Sequence, residues 1–159
     1  MNKALKTFLT DGLKHYWEAA STLRLFEKEV KDLMEQAIRK RTDWHPLRSH
    51  KLAVSRAGGG PDGRWIPCLI EGQDSRGRNA RIDCGLWWSA PKCPLAAIVY
   101  CSFFDEPKSL LGFKHDEDTK GIEAFRYHGR TILYSSIPRD LAIEPVLNYQ
   151  LTFLLKHLK

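Results

Sequence analysis

Thirteen residues in the middle of the chain, RIDCGLWWSAPKC (81–93), gather an Asp, two Cys and two adjacent Trp. Thiolates and carboxylates ligate metals, and a Trp offers a large, rigid contact surface to a partner. The spacing does not suit a structural zinc site: eight residues separate Cys84 from Cys93, with no neighbouring His and no close Cys pair. If the segment is a strand, Trp87 and Trp88 point to opposite faces, so one is core. The other then either packs beneath a loop or serves as a partner anchor.

Other patterns with chemical potential are weaker. AGGGPDGRW (57–65) is rich in glycine, but it lacks the Gly-Lys-Ser/Thr ending of a phosphate loop and joins two extended segments instead of opening a helix. It reads as a hairpin turn. The His115–Asp118 run, HDED, supplies metal-ligand atoms without an EF-hand spacing and reads as an acidic surface loop. Arg81 and Asp83 on one strand, with Glu71 on its expected neighbour, are the group to inspect for metal-assisted hydrolysis, against the plainer reading of a surface ion pair. No nucleophile elbow, zinc-protease motif or zinc-deaminase motif occurs. The reading therefore leans away from an enzyme and implies no cofactor and no metal.

The most basic stretch is RKRTDWHPLRSHKLAVSR (39–56), where Arg39, Lys40, Arg41, Arg48, Lys51 and Arg56 face one acid, Asp43. With Trp44, His45 and His50 it combines phosphate-gripping cations and stacking rings, as single-strand binders do. The competing reading is structural: cations at a helix C-terminus oppose the macrodipole. The chain's formal charge is +6, and the excess is local: residues 1–100 carry seventeen Lys and Arg against eleven Asp and Glu, and residues 101–159 carry eight of each.

The elements that must position these residues follow from periodicity. From Leu13 to Ile38 apolar residues recur every three or four positions, which predicts a long amphipathic helix over about 3–41. Glu27 with Lys31 and Glu35 with Arg39 are favourable i,i+4 pairs. Thirty helical residues span about 45 Å, against a diameter of roughly 40 Å for a compact chain of this length. The helix must therefore cross the domain, break or protrude. A protruding stripe would suit a partner helix, although stripes at this spacing more commonly pack in the core.

Beyond Pro46 the pattern becomes extended. Ala80, Ile82, Cys84 and Leu86 alternate with Asn79, Arg81, Asp83 and Gly85, which predicts a strand with Cys84 inward and Asp83 facing solvent. PLAAIVYCSFF (94–104) lacks alternation and reads as a central strand covered on both faces. EAFRY and RTILYSSI, joined by His128-Gly129, form a hairpin. A loop spans Asp105 to Lys120, and Leu147, Leu151, Leu154, Leu155 and Leu158 mark a C-terminal helix over about 145–158. The expected fold is a single α+β domain: a mainly antiparallel sheet of five or six strands, over about 51–136, flanked by the two terminal helices.

A hydrophobic fraction of 43% and a charged fraction of 28% exclude a disordered or fibrous chain. The charged N-terminal segment does not read as a secretory signal and no apolar run is long enough for a membrane span, so a cytoplasmic protein with its four cysteines as thiols is expected, without a membrane partner. These features point to a non-enzymatic protein-binding domain, such as an inhibitor, immunity factor or small adaptor. Its contacts would be Arg39, Arg41, Trp44 and Arg48 at the helix end, Trp87 and Trp88, and the 105–120 loop. The alternative is a nucleic-acid binder using Arg39, Lys40, Arg41, Arg48, Lys51, Arg56, Arg76, Arg78 and Arg81. A further alternative is a hydrolase without a recognisable motif. The sequence leaves oligomeric state open.

Overall fold

The computed structural model describes residues 2–54, 58–60, 63–91, 93–111, 113 and 121–158; Arg56 and the 115–118 acidic run lie outside the described residues. The N-terminal helix starts at Asn2, whose side chain accepts from the Ala4 amide at 3.0 Å. It runs as α1 (Lys3–Thr7), a π-helical turn (Phe8–Gly12) and α2 (Leu13–Lys40). The π turn links the Leu13 amide to the Phe8 carbonyl. By adding a residue to one turn, it brings Phe8 and Leu13, five apart, onto the face that continues through Tyr16, Ala20 and Leu23. That face becomes buried only at Val30, Met34, Ala37 and Ile38. The helix thus neither crosses the body nor breaks; it protrudes.

Seven strands follow: β1 (Arg48–Val54), β2 (Gly58–Gly60), β3 (Gly63–Gln73), β4 (Asn79–Trp88), β5 (Ala97–Phe103), β6 (Glu123–Tyr127) and β7 (Arg130–Ser136). Their order is β1-β3-β4-β5-β7-β6, with β2 also pairing with β3, and every pairing is antiparallel. The hairpin between β6 and β7 turns on His128 and Gly129 at φ 45° and 78°, the pair of positive angles that matches strand twist in a two-residue turn. Helix α3 (Ile143–Leu155) closes the chain. The α+β class holds, with one strand more than expected because the glycine run 58–60 itself pairs with β3.

Both helices lie on one face of the sheet. There Val30, Met34, Leu147, Leu151 and Leu154 pack with Ile66, Ile70, Ile82, Leu86, Val99, Phe103 and Leu133. Buried Gln150 fastens α3 to this face, its Nε2 donating to the Val99 carbonyl at 2.9 Å and to Ser135 Oγ at 3.1 Å. Glu27 does not pair with Lys31 as the helical spacing suggested; it pairs with Arg64 of β3, at the point where the helix leaves the body. The expectation that the terminal helices would shield both faces is therefore corrected. Only six residues link β7 to α3, and they return the chain across the face already occupied by α2. The opposite face is covered by the sheet's own aromatic side chains, Trp65, Trp87, Tyr100, Phe125, Tyr127 and Tyr134, around Ile98 and Ile132.

Three of the four free thiols, Cys68, Cys84 and Cys101, are buried side by side on the helix face, register partners across β3, β4 and β5. Burial, reinforced by the negative charge of Asp83, pushes the Cys68 thiol up to about 12 and raises the other two as well. Thiolate is the reactive form, so these three behave as small apolar side chains. Iodoacetamide near neutral pH is expected to modify Cys93 alone in the native protein and all four thiols in denaturant. Native-state modification of any of the buried three, read by mass spectrometry of peptides, would contradict this sheet register.

Candidate functional site

On the face away from the helices, alternation along β4 presents Arg81, Asp83, Gly85 and Trp87. A Cβ at Gly85 would fall 2.2 Å from the Ile66 carbonyl oxygen and 3.1 Å from the Tyr100 ring. Only glycine leaves room there, so the Tyr100 ring lies against the β4 backbone and its hydroxyl donates to Asp83 Oδ1 at 3.1 Å. Arg130, first residue of β7, brings Nη1 to 3.9 Å from Asp83 Oδ2. That separation is too wide for a hydrogen bond. The Arg130 nitrogen is buried and has no hydrogen-bond partner among the described residues.

Around this pair Trp65, Trp87, Tyr100, Tyr127 and Ile132 form a pocket of about 210 Å³. Trp87 is its hub: the ring centroids of Tyr127, Tyr100 and Trp65 lie 5.0, 5.7 and 6.5 Å away, each steeply inclined, the edge-to-face geometry that aromatic quadrupoles favour. The Arg130 and Arg81 guanidiniums stand 4.6 and 4.8 Å from the Phe104 ring centroid, and Arg81 pairs with Asp105 at 3.6 Å. Burial raises the Asp83 carboxyl above its ordinary range, with the Tyr100 hydrogen bond and the Arg130 charge opposing the shift. A wider groove of about 860 Å³ lies elsewhere, between the Asp74–Ala80 turn and the 105–109 segment, but the charged side chains lining it are largely solvated or already paired.

Trp87 and Trp88 do face opposite ways. Neither is an exposed anchor: Trp87 is 5% exposed, and Trp88 packs edge-on against Phe26 of α2 at 6.2 Å. Trp44, also buried, donates from Nε1 to the Arg41 carbonyl and stacks on His50; it is not a free stacking surface. Arg41 joins α2 to α3 through the Asn148 carbonyl and Thr152 Oγ1, each at 3.1 Å, and burial lowers its pKa.

Four of the expected cations, Arg39, Lys40, Arg78 and Arg81, have acidic partners among the described residues. Arg39 pairs with Glu35 at 2.8 Å, Lys40 with Glu144 at 3.5 Å, and Arg78 with Asp74 at 2.6 Å. Asp74 also accepts from the Arg76 amide. Arg48 and Lys51 stand exposed on β1 without an ion pair among the described residues. Glu71 lies on the strand next to Arg81 and Asp83 and is the register partner of Arg81, but among the described residues no three His, Cys, Asp or Glu side chains converge as metal ligands. Asp83, expected to be wet, is instead partly buried at the edge of the aromatic pocket.

No family model, curated protein or solved structure matches this chain. Leu5, Phe8, Leu9, Leu13, Tyr16 and Trp17 lie exposed along the projecting helix, Tyr16 and Trp17 each at 58%. Sequence reasoning found this stripe and assigned it to the core. It missed Trp65, Tyr100, Tyr127 and Arg130, although alternation of Phe125 with Tyr127 and of Ile132 with Tyr134 marks a second aromatic face. Among the described residues no helix is long and apolar enough to cross a membrane.

Because the folded-state pKa of Asp83 is raised, the folded chain holds its proton to higher pH than the unfolded chain does. Asp83 thus destabilises the fold above its folded pKa, and that penalty fades as pH falls toward the unfolded value. Asp83→Asn, which keeps an oxygen for Tyr100, should therefore gain stability relative to the native chain at neutral pH, with the difference in urea midpoint shrinking as the solution is acidified. A pH-independent difference would contradict a desolvated, charged Asp83.

Proposed function

We propose that this chain is a cytoplasmic protein-binding domain that engages its partner through the projecting N-terminal helix. The observation that carries the reading is the unburied continuation of the core stripe: the face that packs on the sheet at Val30 and Met34 runs outward through Tyr16, Leu13, Phe8 and Leu5 with nothing covering it among the described residues. An amphipathic helix with an open apolar face is matched by another apolar helical face, knobs filling holes along the seam. The flanks carry Lys3, Lys6 and Lys14 against Asp11, so a partner helix with acidic borders is favoured. Free thiols are in keeping with a reducing compartment.

Magnitudes set the character of the contact. Six large side chains already about half covered by their own helix would each contribute roughly 1 kcal/mol when fully buried. Their total of about 6 kcal/mol is comparable to the lower estimates for the entropic cost of association. The stripe alone therefore supports a reversible contact, and tight binding requires the partner to reach the adjoining body. Such a contact suits an adaptor, inhibitor or immunity-type role. The acid-paired cations Arg39, Lys40, Arg78 and Arg81 give less support to phosphate-backbone binding, which depends on uncompensated charge.

A photo-crosslinking amino acid at Leu9 or Tyr16 of the whole chain, expressed in its native cells, should yield a discrete protein adduct, and the same group at Glu18 on the polar face should not. Leu13→Asp should abolish the adduct. The reading is overturned if positions 9 and 16 give no protein adduct, or if adducts form regardless of position and survive Leu13→Asp.

A further inference from the structure

We propose that the pocket on the open sheet face binds a small, neutral, planar ligand, an aromatic or heteroaromatic ring bearing a carboxamide or lactam edge that bridges Asp83 and Arg130. Size comes first. A dry cavity of about 150 Å³ accommodates benzene, and drug-sized ligands occupy roughly 300–1,000 Å³. At about 210 Å³ this pocket has room for one ring with a substituent. The steep angles between Trp87 and both Tyr127 and Trp65 make a corner, in which a flat ring can stack on one wall and meet the edge of another.

Charge selects the polar edge. A cationic ligand drawn to Asp83 would meet the Arg130 guanidinium, and an anionic one drawn to Arg130 would meet the Asp83 carboxylate, since the two stand 3.9 Å apart. A neutral edge with one donor and one acceptor avoids both conflicts. Its N–H is directed to Asp83 Oδ2 and its C=O to Arg130 Nη1, the buried nitrogen with no hydrogen-bond partner among the described residues. Tyr100 already holds the other carboxylate oxygen, and the guanidinium lies over Phe104. Both groups are thereby positioned before the ligand arrives, which reduces the ordering that binding requires. The pocket lies on the sheet face opposite the helices, so its ligand and the proposed helix partner are independent, and the failure of either reading leaves the other intact.

Four probes test the assignment by amide chemical-shift titration of the whole chain: nicotinamide and 2-pyridone, which carry the required edge, and benzoate and tetramethylammonium, which do not. The first two should move the amide resonances of Asp83, Trp87, Tyr100 and Ile132. Arg130→Met and Asp83→Asn should each weaken binding about tenfold, the worth of one charge-assisted hydrogen bond. The proposal is overturned if neither edge-bearing probe shifts those resonances, if benzoate or tetramethylammonium binds more tightly, or if both variants bind as the native chain does. Each variant's amide spectrum reports whether it has folded. Should one unfold, the four probes on the native protein decide the question alone.

Discussion

The structure depends on the sidedness of one antiparallel sheet. Strand residues point alternately to opposite faces, and here both helices occupy the same face. The large hydrophobic core, with its three aligned thiols and the Gln150 anchor, is built on that side. The other face must exclude water with its own side chains. It does so by packing six aromatic rings around Ile98 and Ile132, and polar groups enter this packing at the Asp83–Tyr100–Arg130 constellation. Gly85 is central to it, since any side chain there would displace the Tyr100 ring and with it the hydroxyl that holds Asp83.

Sidedness also explains the projecting helix. The sheet offers α2 contact from about Val30 onward, and the ion pair of Glu27 with Arg64 and the contact of Phe26 with Trp88 mark the edge of the body. Earlier turns have no sheet beneath them, yet their apolar stripe stays in phase, kept there by the π turn at Phe8–Gly12. Propensity alone stabilises an isolated helix only weakly in water, so the arm draws its stability from its continuity with α2.

Much of this was legible in the sequence. The 3.6-residue repeat of Leu13–Ile38, the alternation along Asn79–Trp88 and the His-Gly hairpin each rest on local geometry, and all three appear where periodicity placed them. Facts set by long-range packing were not legible. The unbroken apolar run 97–103 announces a strand covered on both faces, but covering by a helix and covering by neighbouring aromatics look the same along the chain. Asp83 read as wet because alternation gives the face, and the face was not solvent. Trp44 and Arg41 read as a binding surface because nothing local reveals that Asn148 and Thr152 of α3, more than a hundred residues later, meet Arg41.

Amide hydrogen exchange on the dilute protein tests the central claim most directly, because it reads burial along the helix and sheet in a single experiment. Amides of Ile98–Phe103 and of the helix from Val30 to Ile38 should exchange slowly and together, at the rate of global unfolding, and those before Leu23 should exchange far faster. Uniform slow exchange from Leu5 to Ile38, or fast exchange within Ile98–Phe103, would contradict a one-sided core with an arm projecting from it.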